Sequence, residues 1–361
     1  MKVIMYISNW NAIGGVETFA KNFCKRMSKK CDVTLIYENV ANYELVTEMV
    51  KYCNLVKLDK KKTYECDIFI SSTAWGVSGF EYVESKCYVQ VIHADYRVII
   101  SGWAFNYKMN PKTTHHVCVG ELVKESFEEV TGLKCDAIIH NLLDNSIKRE
   151  KKIKNKMLSL VTCSRLSGEK GFQRVFKLAK QLEDRKIDYA WDIYGANATP
   201  FSNDIVKTLK TFKGVNFKGI TTEPFKVINQ ADYLVQLSDT EGFAYSVYEA
   251  MQVKTPCIIT PFASGNEQII NGINGYIVPF EMNDIPFDDI LRRDLKVPKF
   301  KELGTEKKWN DFFDSCMVWY NENTLQVKIT AVVQKYKIGE IVTLPKERAL
   351  SGIERGLCEL V

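Results

Sequence analysis

Tyr233-Leu234-Val235-Gln236-Leu237, then Ser238-Asp239-Thr240-Glu241-Gly242-Phe243, then Ala244-Tyr245-Ser246-Val247-Tyr248-Glu249, reads as a strand, a turn and the opening of a helix. The apolar run has the length of a buried strand, the turn is polar with a glycine, and helical periodicity follows. Glu241 stands on the turn and Glu249 on the predicted helix, about two helical turns further on. Two carboxylates so placed can grip two parts of one elongated polar ligand, with helix-start amides of Gly242 and Phe243 between them for an anion. A carboxylate also suits hydroxyl groups, because its planar group accepts two hydrogen bonds in fixed directions. Single acids on a turn or a helix face are usually only solvated, so it is the pair in this setting that marks a candidate site.

Working outward, the same strand-and-helix unit recurs along most of the chain. In the first half the strand candidates are Val3 to Ile7, Val33 to Tyr37, Asp67 to Ser71, Tyr88 to Ile92, His116 to Val119 and Ala137 to Ile139. The pattern restarts with Leu158 to Cys163, Ala190 to Tyr194, Val215 to Phe217, Tyr233 to Leu237, Cys257 to Ile259 and Gly275 to Val278. Such alternation predicts an α/β protein of parallel sheets covered by helices. The basic run Lys148 to Lys156 has little to pack and reads as a linker between domains 1–147 and 148–324. Ligands of two such sheets bind at the carboxyl ends of their strands, in the cleft between the domains. With 361 residues, 46% of them hydrophobic, the chain can fill two cores.

Two further strand-to-helix turns carry candidate chemistry. Gly14 and Gly15, in Asn9 to Glu17 after the first strand, allow close backbone approach to an anion, or simply make a tight turn. Their spacing is not that of a dinucleotide fingerprint. Arg165 and Lys170, in Ser164 to Phe172, can converge on a diphosphate, the first as a fork and the second as a point charge. Two solvated cations are the plainer reading of that loop alone.

Lysine and arginine exceed aspartate and glutamate by 49 to 44, a formal charge of +5 too diffuse to point to nucleic acid. The 11 cysteines are scattered without a C-x-x-C pair, which favours a reducing compartment and no structural zinc. Val3 to Ile7 is too short for a signal-peptide core and no apolar run reaches membrane-span length. The expectation is a soluble cytoplasmic protein. The first helix carries Lys21, Lys25 and Lys29 with Arg26 and Lys30 beside them; this is a solvated face or, alternatively, a peripheral contact with anionic lipid.

Gly14-Gly15, Arg165 with Lys170, the E-x7-E pair Glu241 and Glu249, and Glu267 to Gly275 together resemble the retaining glycosyltransferases of family 4. The resemblance covers about residues 1 to 290 and is strongest from Leu160 to Val278. It implies the GT-B fold: two Rossmann-like domains facing a central cleft, an acceptor domain first and a nucleotide-sugar donor domain second. It also implies that Arg165 and Lys170 hold the donor diphosphate, Glu241 the transferred sugar and Glu249 the ribose, with Gly242 and Phe243 near sugar and phosphate. His93, after a strand, matches the family's histidine beside the reacting sugar, and Asn141 to Asp144 resembles its domain crossover.

The implied reaction is metal-independent transfer of a hexosyl group with retention, from a UDP- or GDP-sugar to a glycan, lipid-linked or protein acceptor, as in polysaccharide biosynthesis. No cofactor and no metal are implied; no D-x-D motif is present where one would be needed, and His115 and His116 point to opposite faces of a strand. The alternatives are a DNA base as acceptor, or a GT-B scaffold that binds a nucleotide or glycan without catalysis. Two departures stand out. The helix after Glu249 ends in Val253-Lys254-Thr255-Pro256, where the family has glycine, so a left-handed cap at Lys254 costs about 1 kcal/mol or more. Ala196-Asn197 replaces an acidic residue and glycine, leaving base identity open.

Trp309 to Tyr320 is expected to form a helix that returns to the first domain. Residues 325–361 read as a small strand-rich module with one short helix, similar to C-terminal modules of phage and prophage proteins. It is too small to hold much stability alone.

Overall fold

The computed structural model describes residues 1–10, 14–40, 43–72, 79–98, 110–150, 156–196, 200–262, 264–331, 333 and 335–361. Residues 151–155 of the expected linker and Asn197 lie outside them. Seven parallel strands form the first sheet: β1 (Lys2–Trp10), β2 (Asp32–Val40), β3 (Asn54–Lys57), β4 (Tyr64–Ser71), β5 (Val83–Ile92), β6 (His115–Cys118) and β7 (Ala137–Ile138). Six parallel strands form the second: β8 (Leu158–Cys163), β9 (Tyr189–Tyr194), β10 (Val215–Gly219), β11 (Tyr233–Gln236), β12 (Cys257–Ile259) and β13 (Gly275–Ile277). Their strand orders are β3-β2-β1-β4-β5-β6-β7 and β10-β9-β8-β11-β12-β13.

In both sheets the order reverses beside the first strand, between β1 and β4 and between β8 and β11. Ligand crevices open at such switch points, beyond the carboxyl ends of the strands. The Gly14-Gly15 turn follows β1, the Arg165 and Lys170 loop follows β8, and Glu241 follows β11, so the topology gathers these turns at the switch points. Strand β1 is covered on both faces: Val3, Met5 and Ile7 pack with Phe19 and Phe23 of the helix Gly15–Met27, while Ile4 and Tyr6 pack with Phe69, Phe80 and Tyr88. This two-sided burial is what makes its sequence a continuous apolar run. His115 and His116 do diverge, the first ring lying against Phe312 and Trp319, the second against Phe127.

The chain passes from the first sheet to the second through His140 to Asp144, and returns before the helix Glu306–Asn323. That helix falls within the stretch assigned to the second domain, yet it lies on the first sheet. Trp309, fully buried, meets Phe23 edge to face at 5.1 Å, and the Cys87 thiol on β5 donates to the Cys316 carbonyl at 3.2 Å. Residues 306–323 cover the first sheet, because their apolar face fits the aromatic groove beside the helix Gly15–Met27. The return is pinned by Arg26, 5% exposed, whose guanidinium binds Glu306 and Glu302 and donates to the Leu143 carbonyl at 3.0 Å.

After that helix, β14 (Thr324–Ile329) pairs antiparallel with β15 (Ile341–Pro345) and β16 (Cys358–Leu360) in the order β15-β14-β16. The helix Lys346–Glu354 closes a small core of Val327, Ile329, Leu344, Ala349 and Cys358. Among the described residues no helix is long and apolar enough to cross a membrane.

Candidate functional site

The loops after β8 and β11 are joined before any ligand arrives. Gly171 has φ +68°, and a Cβ there would stand 1.8 Å from the Leu237 carbonyl, so glycine allows the two loops to touch. The Asp239 amide donates to the Glu169 carbonyl at 2.8 Å. Across this seam Lys170 Nζ lies 2.7 Å from Glu241 Oε1, with each side chain 13% exposed. The same carboxylate oxygen accepts from Ser238 Oγ at 2.7 Å and Gln236 Nε2 at 2.9 Å. Lys170 and Glu241, assigned to different parts of a ligand from the sequence, thus form one ion pair. Arg165 is different: its side chain is 67% exposed and rests on Glu169 at 3.2 Å, so little holds it back from an incoming anion.

Gly242 is one place where the two domains meet. A Cβ at this position would stand 1.9 Å from the His93 carbonyl oxygen and 3.0 Å from the Ala94 amide. Glu241 and His93 are therefore brought to opposite sides of one narrow contact. The His93 ring packs edge-on to Phe19 at 4.7 Å, and burial pushes its pKa down to about 4, so it is neutral at physiological pH. The helix itself spans Tyr245–Gln252, so Gly242 and Phe243 lie on the turn before it instead of in its first turn. Phe243 stacks on Tyr248 with centroids 4.1 Å apart. At the far end Lys254 takes the left-handed conformation, φ +60°, with the Thr255 amide bonding the Ala250 carbonyl and the Lys254 amide that of Met251. That is a Schellman ending made without glycine.

The Gly14-Gly15 turn holds an anion of its own. Gly14 is the N-cap of the helix Gly15–Met27, and the Glu17 carboxylate three residues on reaches back to the Gly14 amide. This is the returning half of a capping box. A Cβ on Gly14 would stand 2.5 Å from Glu17 Oε2, whereas one on Gly15 would meet nothing within 4 Å among the described residues. The space beside Gly14 is taken by the end of the Glu17 side chain, and that beside Gly15 is open among the described residues. Burial raises the pKa of Glu17, opposed by the amides of Glu17 and Gly14 and by Arg165 across the cleft.

Glu249 faces a cavity of about 120 Å³ between the helices Gly15–Met27 and Tyr245–Gln252, shared with Glu17, Lys21, Thr222, Phe225 and Tyr245. Burial, reinforced by Asp144 and opposed by Lys21, lifts its pKa to about 8. At neutral pH it is a carboxylic acid that can donate one hydrogen bond and accept another. The folded chain keeps a proton that an unfolded chain releases near 4.5. Glu249 therefore contributes stability that is fully present below the unfolded value and is lost as pH rises through about 8. The thermal midpoint of the parent should accordingly fall relative to that of Glu249→Gln as pH rises from about 5 to 8. Parallel curves for the two proteins would remove the buried, protonated carboxyl.

The cationic stripe of the first helix is largely neutralised. Lys21 pairs with Glu48 at 2.9 Å, Lys25 with Asp144 at 3.0 Å, and Arg26 is the buried clamp already described. Lys29 and Lys30 of the same stripe stay exposed. Sequence reading also passed over His140, which meets Glu267 at 3.0 Å; its only signal was a position next to the crossover.

Residues 144–302 match the family model described as glycosyl transferases group 1. The GtfA subunit of a UDP-N-acetylglucosamine–peptide N-acetylglucosaminyltransferase of Streptococcus agalactiae is 28% identical over 145 residues, 39% of this chain. The matched part spans only 28% of that relative's length. Among solved structures, HepE of Anabaena in complex with UDP and glucose superposes with a TM-score of 0.62 at 12% identity, over 89% of this chain and 95% of that one. A TarM variant of S. aureus in complex with fondaparinux, α-GlcNAc-glycerol and UDP gives 0.58 at 12% identity, over 89% and 96%. Two parallel sheets meeting at Gly242 and superposing on such neighbours over nearly nine-tenths of the chain have the GT-B fold of glycosyltransferases, and the segment from 144 to 302 carries the glycosyl transferases group 1 pattern.

Proposed function

We propose that this chain is a retaining glycosyltransferase that moves a sugar from a UDP-sugar to a hydroxyl of a glycan, lipid-linked or protein acceptor. The observation that carries the reading is the Lys170–Glu241 pair, partly exposed at the switch point of the second sheet, next to the contact of Gly242 with the His93 backbone. Its ammonium has three N–H donors and Glu241 takes one, which leaves donors for phosphate oxygens. Arg165 swings onto the diphosphate from its loose rest on Glu169. Glu241 receives hydroxyls of the transferred sugar, and Glu249 binds the ribose as an acid that both donates and accepts. Thr222 and Phe225 wall the base side of the same cavity. The choice of UDP follows the donors named for the relatives and neighbours.

In the step itself the bond from the anomeric carbon to the phosphate oxygen breaks, and that oxygen leaves with the electron pair. The acceptor oxygen bonds to the same face of the sugar, and its proton passes to the departing phosphate. Arg165, Lys170 and nearby amides stabilise the growing negative charge, which is often the largest catalytic contribution. Neutral His93 adds no positive charge against a sugar that is itself becoming positive.

A panel of UDP-sugars, scored by thermal stabilisation and donor hydrolysis in the presence of chelator, tests the reading. UDP and at least one UDP-sugar should raise the thermal midpoint, and hydrolysis should persist without divalent ions. Activity lost in chelator and restored by magnesium or manganese would sink the metal-independent mechanism, and the absence of any UDP response would sink the donor assignment.

A further inference from the structure

We infer that Glu267 is a positioning residue, a carboxylate of the second domain that caps a helix of the first and thereby holds the two cleft faces in register; the inference rests on the proposed transfer reaction. The capped helix is Glu121–Thr131, which follows β6, and its N-cap is Gly120, with no side chain to offer the first amides. Glu267 Oε1 accepts from the Leu122 amide at 3.2 Å, and Oε2 lies 3.0 Å from His140 Nε2. A Cβ at Gly120 would stand 3.0 Å from Oε1, so the glycine leaves just the room that the foreign carboxylate fills. A negative charge there is favoured by the helix dipole as well as by the hydrogen bond.

The cap is connected to the candidate site through few bonds. Glu267 belongs to the short helix Gly265–Gln268. Directly before it, Ser264 donates to the Glu241 carbonyl through its hydroxyl at 3.2 Å and its amide at 3.3 Å. On the other side, His140 is fixed from behind by the returning chain, since a Cβ on Gly304 would stand 2.1 Å from the His140 carbonyl. Moving Glu267 off the helix therefore shifts the Glu241 turn, with the Lys170 loop joined to it, relative to the first domain, while Lys170, Arg165 and Glu249 keep their places within the second.

The test compares Glu267→Ala and Glu267→Gln by UDP affinity, donor KM, kcat and hydrogen exchange of the peptide that opens the helix Glu121–Thr131. For Glu267→Ala the expected result is unchanged UDP affinity and donor KM, kcat lower by roughly 100-fold, and faster exchange at the helix start. Glu267→Gln should recover most of kcat, because its amide oxygen can still accept from Leu122. Parent kcat in Glu267→Ala, equal losses of kcat and UDP affinity, or a glutamine variant as damaged as the alanine one would each overturn the inference. If the parent transfers no sugar, it is the proposed function that fails, and exchange alone decides the cap: an unaltered helix start in Glu267→Ala overturns it. Should Glu267→Ala not fold, Glu267→Asp keeps the charge but shortens its reach to the Leu122 amide, and the same loss of kcat at constant UDP affinity, or its absence, decides.

Discussion

Replacing Lys170 by alanine should abolish measurable UDP binding and lower transfer by about 100- to 1,000-fold, the range seen when one donor is removed from developing negative charge. The ammonium is held 2.7 Å from Glu241 with little exposure, so its position is set before the donor binds. The substitution also leaves Glu241 with Ser238 and Gln236 as its remaining donors in the seam. Breaking a buried pair by removing one partner costs about 3–5 kcal/mol, and the 13% exposure here places the loss at or below the lower end. Glu241→Gln separates the two effects. It keeps a polar group toward Ser238 and removes the charge, so it should slow turnover while UDP still binds. Calorimetric UDP titration and turnover on both variants decide the matter: parent affinity in Lys170→Ala would end the phosphate role, and parent turnover in Glu241→Gln would end the sugar role.

Gly242→Ala should reduce transfer by about 100-fold, the penalty expected for misplacing a reacting group by roughly 1 Å. The new Cβ would face the His93 carbonyl at 1.9 Å and the Ala94 amide at 3.0 Å, and both are backbone atoms with no flexible end to yield. Either the two loops part or the Glu241 turn rotates. UDP affinity should survive, since Lys170, Arg165 and Glu249 all belong to the second domain. Steady-state kinetics with UDP titration check this; a variant with parent kcat would show that the loops do not meet in the working enzyme.

The strands that proved legible are those with two covered faces. β12 begins and ends where its apolar run does, because burial on both sides demands uninterrupted hydrophobicity, and β8 could be placed from Leu158, Leu160 and Val161 although Ser159 and Thr162 interrupt the run. β3, Asn54–Lys57, was missed: it is a four-residue edge strand with both ends exposed, too short for any period to show. In the site, turns that follow strands could be located from local chemistry, but partners could not. Lys170 and Glu241 are 71 residues apart and His140 and Glu267 are 127 apart, distances that only strand order closes. Glu17, three residues from Gly14, has the spacing of a capping-box partner, and its contact with the Gly14 amide is a local one that the sequence could have supplied.

The helix Glu306–Asn323 lying on the first sheet sets a schedule for biosynthesis. Strand β7 emerges early, but the groove lined by Phe19 and Phe23 stays uncovered until Trp309 and its neighbours have left the ribosome. At usual elongation rates that interval is roughly 10–40 s. During it the nascent first domain presents an aromatic surface, and an Arg26 guanidinium still without Glu302 and Glu306, to its surroundings or to a chaperone. Messenger damage or ribosome stalling between residues 278 and 305 would therefore release a sticky half-clad product, even though every strand of both parallel sheets had already been made.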